Sequence, residues 1–323
     1  MYSAEKLVAA PAELPGAVCR LMRRGNADGQ RAENELSFRL SLTQRWKDSE
    51  SLLCVGLDPD PRRIPEHLGK GPDAVLAFCQ AIVAATADHA CAYKPQIAYF
   101  AAAGAEAVLQ ELIGWIHREH PGIPVILDAK RGDIGNTAEQ YAVEAFGRYG
   151  ADALTVNPFM GFDSIEPYLA WPGKGVILLC RTSNPGGGDF QLLESGGERL
   201  FERIARLAAG EWNRSGELGL VVGATYPGEL RRVREIAPDL PLLVPGIGAQ
   251  GGDIEATAAA GLDSEKAGLV INSSRAILYA GHDRDFASAA REASLQTRDA
   301  IRRAVDKVAS GARVGRSAMR GKA

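Results

Sequence analysis

The chain lacks the features typical of membrane, secreted and metal-binding proteins. Only five of its 323 residues are cysteines, and no two of them form a C-x-x-C pair. Its apolar runs stay well short of the ~20 residues that span a bilayer. The first residues, MYSAEKLVAAPAELPG, lack the basic start and apolar stretch of a secretory signal. The formal net charge of −3 gives no positive excess for nucleic acid or an anionic membrane. These absences predict a cytoplasmic, metal-free protein.

Short apolar runs recur along the chain, and segments of helical composition such as GELRRVREIAP separate most of them. Strands that alternate with helices pair in parallel through crossovers. Near-continuous apolarity is typical of strands that are covered on both faces. The runs predict an α/β protein with a single (β/α)8 TIM barrel. They lie at residues 51–58, 90–96, 124–130, 153–158, 175–183, 218–225, 241–248 and 267–274.

The predicted barrel domain occupies residues 37–310, with a helical pattern that begins at Phe38. Residues 1–36 include the polar segment RRGNADGQRAENE, which is typical of a solvated linker. We therefore expect a flexible, disordered N-terminal extension. Residues 311–323 are small and basic, and we expect them to fray as a C-terminal tail.

Charged residues cluster where the third apolar run ends, in the segment LDAKRGDIGNT. A barrel carries its active site at the carboxyl ends of its strands. Because side chains alternate along a strand, Asp128 and Lys130 are expected to point the same way. Asp133 follows on a glycine-bounded loop, and Lys94 ends the neighbouring second run. The four predict a row of alternating charge at the barrel mouth, in which each charge has a partner.

Such a row suits carbanion chemistry without a cofactor. A protonated lysine can deliver a proton to a carbon that is becoming negative. A fixed carboxylate at ~4 Å repels a substrate carboxylate by roughly 4 kcal/mol at an effective dielectric constant near 20. Loss of carbon dioxide relieves that repulsion, and the attraction to lysine grows in the transition state. A surface ion-pair cluster is the alternative. A Schiff-base lysine is a second one, although flanking carboxylates oppose the neutral amine that it needs.

A glycine-rich loop, PGIGAQGGD, follows the seventh run at residues 245–253 and formally matches the G-x-G-x-x-G dinucleotide fingerprint. We reject that reading, because the fingerprint belongs to the first strand–helix unit of a nucleotide-binding fold. Exposed backbone N–H groups and the next helix N-terminus can still attract an anion. Barrels often bind phosphate with the loops after strands 7 and 8. Gln250 and Arg275 are placed to contact a phosphate there; a tight turn with an exposed arginine is the alternative.

Two further positions end predicted strands. Ser183, in RTSNPGGGDF, is placed to hydrogen-bond a planar polar ligand, and the glycines after it suggest a loop that closes over the site. A plain flexible turn is the alternative. Asp58, in GLDPD, is placed either to hold a sugar hydroxyl or to cap the next helix.

Taken together, these segments resemble the orotidine 5′-phosphate decarboxylase family, and in particular its longer bacterial subgroup. The resemblance runs in order through about residues 40–280, and ILDAKRGDIGNTA is its most specific part. The matching segments are LLCVGLDPD, YKPQIAYF, ILDAKRGDIGNTA, TVNPFMGFDS, RTSNPG, VPGIGAQGGD and SSRAI.

The resemblance implies conversion of orotidine 5′-phosphate to uridine 5′-phosphate (UMP) and carbon dioxide, with no metal or organic cofactor. It implies that Lys130 donates the proton to the pyrimidine carbon. Asp128 would stress the departing carboxylate, and Lys94 would hold the row together and contact the ribose. It also implies a homodimer in which Asp133 reaches the substrate of the neighbouring subunit.

The remaining residues that the resemblance implies bind the substrate. Asp58 would hold a ribose hydroxyl, Ser183 would read the pyrimidine, and Thr137 would lie beside Asp133. Gln250 and Arg275 would grip the phosphate together with the glycine-rich loop at Gly248.

Three rival functions stay open. The first is a sugar-phosphate decarboxylase or aldolase of similar barrel shape, which uses an Asp-x-Lys-x-x-Asp pattern with magnesium. Lys94 argues against this function, because its ammonium group supplies the positive charge that the metal would otherwise supply. A non-catalytic phosphate-ligand binding protein needs Gln250 and Arg275 but not the charged row. In the third, the charged cluster serves only a dimer interface.

Overall fold

The computed structural model describes residues 36–247 and 252–320, with side chains up to Gly311. Its main element is a sheet of eight parallel strands, one for each apolar run, so the predicted strands are confirmed; only β3 extends beyond its run, by one residue at Arg131. The strands are β1 (Leu53–Leu57), β2 (Ala92–Pro95), β3 (Ile126–Arg131), β4 (Ala153–Val156), β5 (Gly175–Arg181), β6 (Leu218–Val222), β7 (Leu242–Val244) and β8 (Leu269–Ser273).

The sheet closes almost completely into a barrel. Its hydrogen-bonded order is β2-β1-β8-β7-β6-β5-β4-β3. Isolated parallel bridges, Tyr93 to Val125 and Gln96 to Asp128, link the two outer strands β2 and β3. The predicted (β/α)8 barrel is therefore confirmed, and the carboxyl ends of all eight strands meet at one mouth.

Helices cover the outside of the barrel and fill the connections between the strands. The short helix Gly135–Ala142 continues as a π-helical stretch over Val143–Arg148. An antiparallel pair of two-residue strands, Glu194–Ser195 and Glu198–Arg199, precedes the helix that begins at Leu200. The helices are α1 (Phe38–Ser49), α2 (Pro72–Thr86), α3 (Ile97–Ala102), α4 (Glu106–Glu119), α5 (Gly135–Ala142), α6 (Glu166–Leu169), α7 (Gly188–Gln191), α8 (Leu200–Ala209), α9 (Pro227–Ile236), α10 (Ile254–Gly261), α11 (Arg275–Leu278) and α12 (Phe286–Arg320).

Helix α1 plugs the end of the barrel opposite the mouth. Phe38 and Leu42 are fully buried there, and an added Cβ at Gly175 would lie 2.2 Å from the Phe38 ring. Glycine at that position makes room for the plug. The layer of inward-facing side chains that the plug contacts is apolar; it includes Cys54, Ala92, Ile126, Ala153, Ile177, Val221, Leu243 and Val270.

The compact unit that contains the barrel begins at Ser37. The predicted N-terminal extension, apart from its last residue, lies outside the described residues. The last three residues of the predicted C-terminal tail lie outside them too; before that, the backbone of α12 stays helical to Arg320. In the described part of the chain, no helix is both long and apolar enough to cross a membrane.

Candidate active site

The barrel interior changes from apolar to polar within one layer of side chains. Because inward-facing positions recur every second residue, the strands that bury Ala92, Ile126 and Ala153 in the plug layer present polar groups next. Those groups are Lys94, Asp128 and Thr155, all of them buried and all nearer the mouth.

Three of the four predicted charged residues form one ion-paired centre. Lys94 Nζ donates to Asp128 Oδ2 at 3.0 Å, and Lys130 Nζ donates to Asp128 Oδ1 at 2.7 Å. The side chains of Lys94 and Asp128 are 5% and 10% exposed, whereas that of Lys130 is 48% exposed. We call these three residues the mouth triad. It presents one accessible ammonium group above a buried ion pair.

An irregularity in β3 brings Lys130 to Asp128. The pairing of β3 with β4 shifts register between Leu127 and Arg131, and Lys130 has a φ of +47°. Left-handed backbone is unfavourable for a residue with a Cβ and persists only where the surroundings enforce it. Simple alternation therefore stops at Lys130, although its ammonium group still meets the Asp128 carboxylate as predicted.

The two buried charges of the mouth triad stabilise each other. Burial raises the pKa of Asp128, but Lys94 and Lys130 outweigh burial and hold that pKa at about 2. Burial likewise lowers the pKa of Lys94, but Asp128 and Asp58 outweigh it and leave that pKa raised. The carboxylate and the buried ammonium group are therefore both charged at neutral pH.

Asp133 and Thr137 lie beyond the mouth triad on the loop and helix that follow β3. The Asp133 carboxylate accepts a hydrogen bond from the Ile134 N–H at 2.8 Å. Among the described residues it forms no ion pair with Lys130, so the predicted row of four ends at Lys130 within one chain. Thr137 is exposed in the first turn of α5.

Asp58 follows β1 at the mouth and keeps an unused acceptor. Its Oδ1 atom is buried and has no hydrogen-bond partner among the described residues. The Tyr279 hydroxyl fixes the turn that carries it, because it donates to the Asp58 carbonyl at 3.0 Å and accepts from the Asp60 N–H at 2.7 Å. The sequence analysis missed Tyr279. It lies 221 positions from Asp58, so no local pattern signals the contact.

The two ends of the glycine-rich loop after β7 lie close together. Gly246 has a φ of +101°, and the Gly252 N–H donates to the Gly246 carbonyl at 3.0 Å. Gly248 and Gln250 lie outside the described residues. Arg275, just after β8, is exposed and has no carboxylate partner in the described part of the chain. A free cation at the mouth can bind an anion.

One element of the predicted phosphate site already has a negatively charged partner. The Asp253 carboxylate caps α10, the helix after the glycine-rich loop, by accepting from the Ala256 N–H at 3.0 Å. The N-terminus of this helix therefore already holds a negative group, which repels a second anion. The predicted binding of phosphate by the loop and Arg275 stays a prediction.

Ser183 lies at the start of the loop after β5, and contacts with Gly223 and Thr225 hold its backbone in place. An added Cβ at Gly223 would lie 2.7 Å from Ser183 Cα, so glycine there permits a close approach of the two backbones. The Thr225 hydroxyl donates to the Ser183 carbonyl at 3.2 Å. Next to Ser183, the Gln191 side-chain oxygen accepts from the Thr182 N–H at 2.9 Å. The predicted closure of this loop stays a prediction.

The chain is similar to known proteins of one family over most of its length. A model of the orotidine 5′-phosphate decarboxylase / HUMPS family matches residues 51–291. A relative from Dechloromonas aromatica, named orotidine 5′-phosphate decarboxylase, is 67% identical over 266 residues, which make up 82% of this chain and 98% of that protein. A relative of the same name from Aromatoleum aromaticum is 67% identical over 269 residues, 83% of this chain and 99% of that protein. The solved structure of Leishmania donovani OMP decarboxylase gives a TM-score of 0.74 at 41% identity, covering 84% of this chain and 99% of that chain.

Proposed function

The chain belongs to the orotidine 5′-phosphate decarboxylase / HUMPS family, and we propose that its mouth triad converts orotidine 5′-phosphate to UMP and carbon dioxide without a metal or organic cofactor. The observation that carries the proposal is the Asp128 carboxylate held 2.7 Å from Lys130 and 3.0 Å from Lys94 at the barrel mouth. This arrangement opposes a second carboxylate and offers an ammonium proton at the same place.

The reaction proceeds by breaking one carbon–carbon bond and forming one carbon–hydrogen bond. The substrate carboxylate lies against Asp128, which repels it, and it leaves as carbon dioxide. The bonding electron pair stays on the pyrimidine carbon and is stabilised by the Lys130 ammonium group. Lys130 then transfers a proton from Nζ to that carbon and regains a proton from solvent. Lys94 keeps Asp128 charged throughout.

The remaining predicted residues bind the substrate. Asp58 accepts a hydrogen bond from a ribose hydroxyl, which satisfies its buried Oδ1 atom. Lys94 contacts the ribose, and Ser183 hydrogen-bonds the pyrimidine. Arg275, Gln250 and the backbone at Gly248 hold the phosphate. The guanidinium of Arg275 has no carboxylate partner among the described residues and is suited to a bidentate contact.

An absorbance assay with orotidine 5′-phosphate in the presence of EDTA tests this function against the magnesium-dependent rivals. Lys94 supplies the fixed positive charge that a metal supplies in those enzymes. We expect turnover to UMP at an unchanged rate in EDTA. Activity that is lost in EDTA and restored by magnesium would reject the proposed chemistry.

We also propose that the protein is a homodimer that joins through its barrel mouths. Large apolar side chains are exposed on the loops after β3, β4 and β5, and contiguous patches of this kind mark interfaces. The rings of Phe159 and Phe190 contact each other with centroids 6.5 Å apart. The exposed side chains are Ile134, Phe159, Met160, Phe190 and Leu193.

In this dimer, Asp133 and Thr137 contribute to the partner's site, which accounts for the missing pairing of Asp133 with Lys130 within one chain. Mixing inactive Lys130→Ala and Asp133→Ala proteins tests this arrangement. Hybrid dimers contain one complete site, so up to about a quarter of the wild-type sites reappear. If mixed dimers form and no activity returns, Asp133 does not act across the interface.

The enzyme serves pyrimidine nucleotide biosynthesis in the cytoplasm under this proposal. The four described cysteines, Cys54, Cys79, Cys91 and Cys180, are all buried and unpaired, which suits a reducing compartment. Cell fractionation with detection of the decarboxylase activity tests the location; activity recovered only outside the cytoplasmic fraction would contradict it.

A further inference from the structure

Thr155 is the one hydroxyl-bearing residue of β4, the strand that neighbours β3 in the sheet. It is 1% exposed and lies two residues beyond Ala153, which belongs to the apolar plug layer. It therefore faces the barrel interior at the level of the mouth triad, where a buried hydroxyl group needs partners.

The Thr155 hydroxyl makes three hydrogen bonds, all with the segment Asp128–Lys130. It donates to Asp128 Oδ1 at 2.9 Å, and it accepts from the Ala129 N–H at 3.1 Å and the Lys130 N–H at 2.9 Å. A hydroxyl group has one proton and two lone pairs. Because both amides can only donate, the proton has to point at Asp128, and the hydroxyl group is fully used.

These contacts replace the part of the strand ladder that is missing. The register of β3 against β4 breaks between Leu127 and Arg131, and the two amide groups in that gap bond to Thr155 instead. The same gap contains the left-handed backbone of Lys130. Without an acceptor at residue 155, two amide groups would be left unpaired beside the buried carboxylate, and the irregular backbone would relax.

From these contacts we infer that Thr155 is a positioning residue for decarboxylation: its hydroxyl group fixes the backbone that carries Lys130 and orients the Asp128 carboxylate between its two lysines. The inference rests on the proposed function and deepens it. Thr155 touches no substrate in this account. It acts by holding the proton-donating ammonium group and the opposing carboxylate in one geometry, which is the usual task of residues that surround a catalytic group.

The test compares Thr155→Val, which keeps the shape and removes the hydroxyl group, with Thr155→Ser, which keeps the hydroxyl group. We expect the valine variant to lose on the order of 10- to 100-fold in kcat, because a hydrogen bond to a charged group is lost together with backbone order. KM and the Kd for UMP should stay within about 3-fold, because the substrate-binding residues are untouched. The serine variant should recover kcat to within about 3-fold of wild type.

Thr86→Val is the matched control. Thr86 is also fully buried, and its hydroxyl group bonds to the Ile82 carbonyl and the Tyr93 hydroxyl on the outside of the barrel. We expect this variant to lose stability while kcat per folded molecule is unchanged. A double variant adds a second criterion. Because Thr155 acts through Lys130 and Asp128, adding Thr155→Val to Lys130→Ala should cost less turnover than Thr155→Val costs in the wild type.

Three results would overturn the inference. They are a Thr155→Val enzyme with wild-type kcat, a serine variant as impaired as the valine variant, and a double variant in which the two losses multiply. If the valine variant does not fold, Thr155→Ala compared with Thr155→Ser gives the same contrast. Failure of the proposed function is distinct, since wild-type protein would then not decarboxylate orotidine 5′-phosphate at all.

Discussion

The two ends of the barrel each hold an aspartate between two basic side chains. At the mouth, Asp128 lies between Lys94 and Lys130. At the plugged end, Asp152 lies between His117, whose Nε2 is 2.9 Å from Oδ2, and Lys174, whose Nζ is 3.5 Å from Oδ1. We call the second group the base triad. Both triads place a carboxylate between two basic side chains, and they differ in their surroundings.

The base triad ties strand starts together, whereas the mouth triad leaves reactive groups available. Asp152 also accepts from the Val125 N–H at 2.8 Å, just before β3, and it directly precedes β4. Burial raises the pKa of Asp152, but His117, Lys174 and the Val125 N–H together outweigh it and lower that pKa. At the mouth, Lys130 adopts left-handed backbone and is half exposed. The position of a cluster in the barrel and the accessibility of its side chains, rather than its set of residue types, therefore separate a catalytic cluster from a structural one.

Replacing one lysine in each triad gives the largest expected contrast. Lys130→Ala should lower kcat by at least about 10³-fold, because both proton donation and transition-state charge stabilisation are lost. UMP binding should survive, which also separates an enzyme from a binding protein. Lys174→Ala makes the same change in the base triad and should keep kcat. Steady-state turnover and UMP titration measure both; a Lys130→Ala enzyme with an ordinary rate would remove that lysine from its role.

Substitutions in the plug helix α1 should have the opposite effect: they should lower the free energy of unfolding and leave kcat unchanged. Phe38→Ala should lower the free energy of unfolding by about 3–5 kcal/mol, because it opens a cavity at the closed end of the barrel. Leu40→Ala on the same helix is the control, since Leu40 is 58% exposed and contributes little. Urea unfolding measures both. A Phe38→Ala variant with normal stability and a specific fall in kcat would contradict the assignment of stability to the plugged end and of catalysis to the mouth.

Arg275→Ala sharpens the account of the mouth. It should raise KM for orotidine 5′-phosphate by about 10- to 100-fold, because one charged hydrogen-bonding group on the phosphate is lost. Orotidine, which has no phosphate, serves as the second substrate, and its kinetics should be insensitive to the change. Arg284→Ala, at another exposed arginine nearby along the chain, is the control. An equal effect of Arg275→Ala on both substrates would argue against a phosphate contact.

The smallest expected effect concerns acid stability. The pKa of Asp128 is about 2 in the folded protein and ordinarily 3.8. A lowered folded-state pKa contributes stability that is present above the unfolded value and is lost as pH falls through the folded one. Asp128 should therefore contribute about 2 kcal/mol that disappears between roughly pH 4 and pH 2. Unfolding of wild type and Asp128→Asn at pH 5 and pH 2.5 measures the difference; an identical pH dependence would contradict it.

Most of the barrel can be predicted from the sequence because its signals are local. Each strand coincides with a short apolar run, and the plug helix begins at Phe38, as its pattern indicates. The pairing of Asp128 with Lys94 also follows from strand order, because inward positions of adjacent strands become neighbours.

What the sequence cannot predict depends on contacts between distant segments. The β3 irregularity keeps Lys130 beside Asp128 through Thr155, which reads as an ordinary strand residue. The hydrogen bond from the Tyr279 hydroxyl to the Asp58 carbonyl joins segments near the two ends of the barrel sequence. The cap of the helix after the glycine-rich loop was missed for a different reason. An aspartate before a helix is a common cap, and Asp253 fills that role where a phosphate was expected.

The most direct test of the central claim is to measure turnover and stability of Asp128→Asn and Asp152→Asn side by side. Each change neutralises the central carboxylate of one triad and keeps its shape. We predict that the mouth variant folds and loses turnover, whereas the base variant keeps turnover per folded molecule and loses stability. If Asp128→Asn decarboxylates orotidine 5′-phosphate at the wild-type rate, the mouth triad is not the catalytic centre.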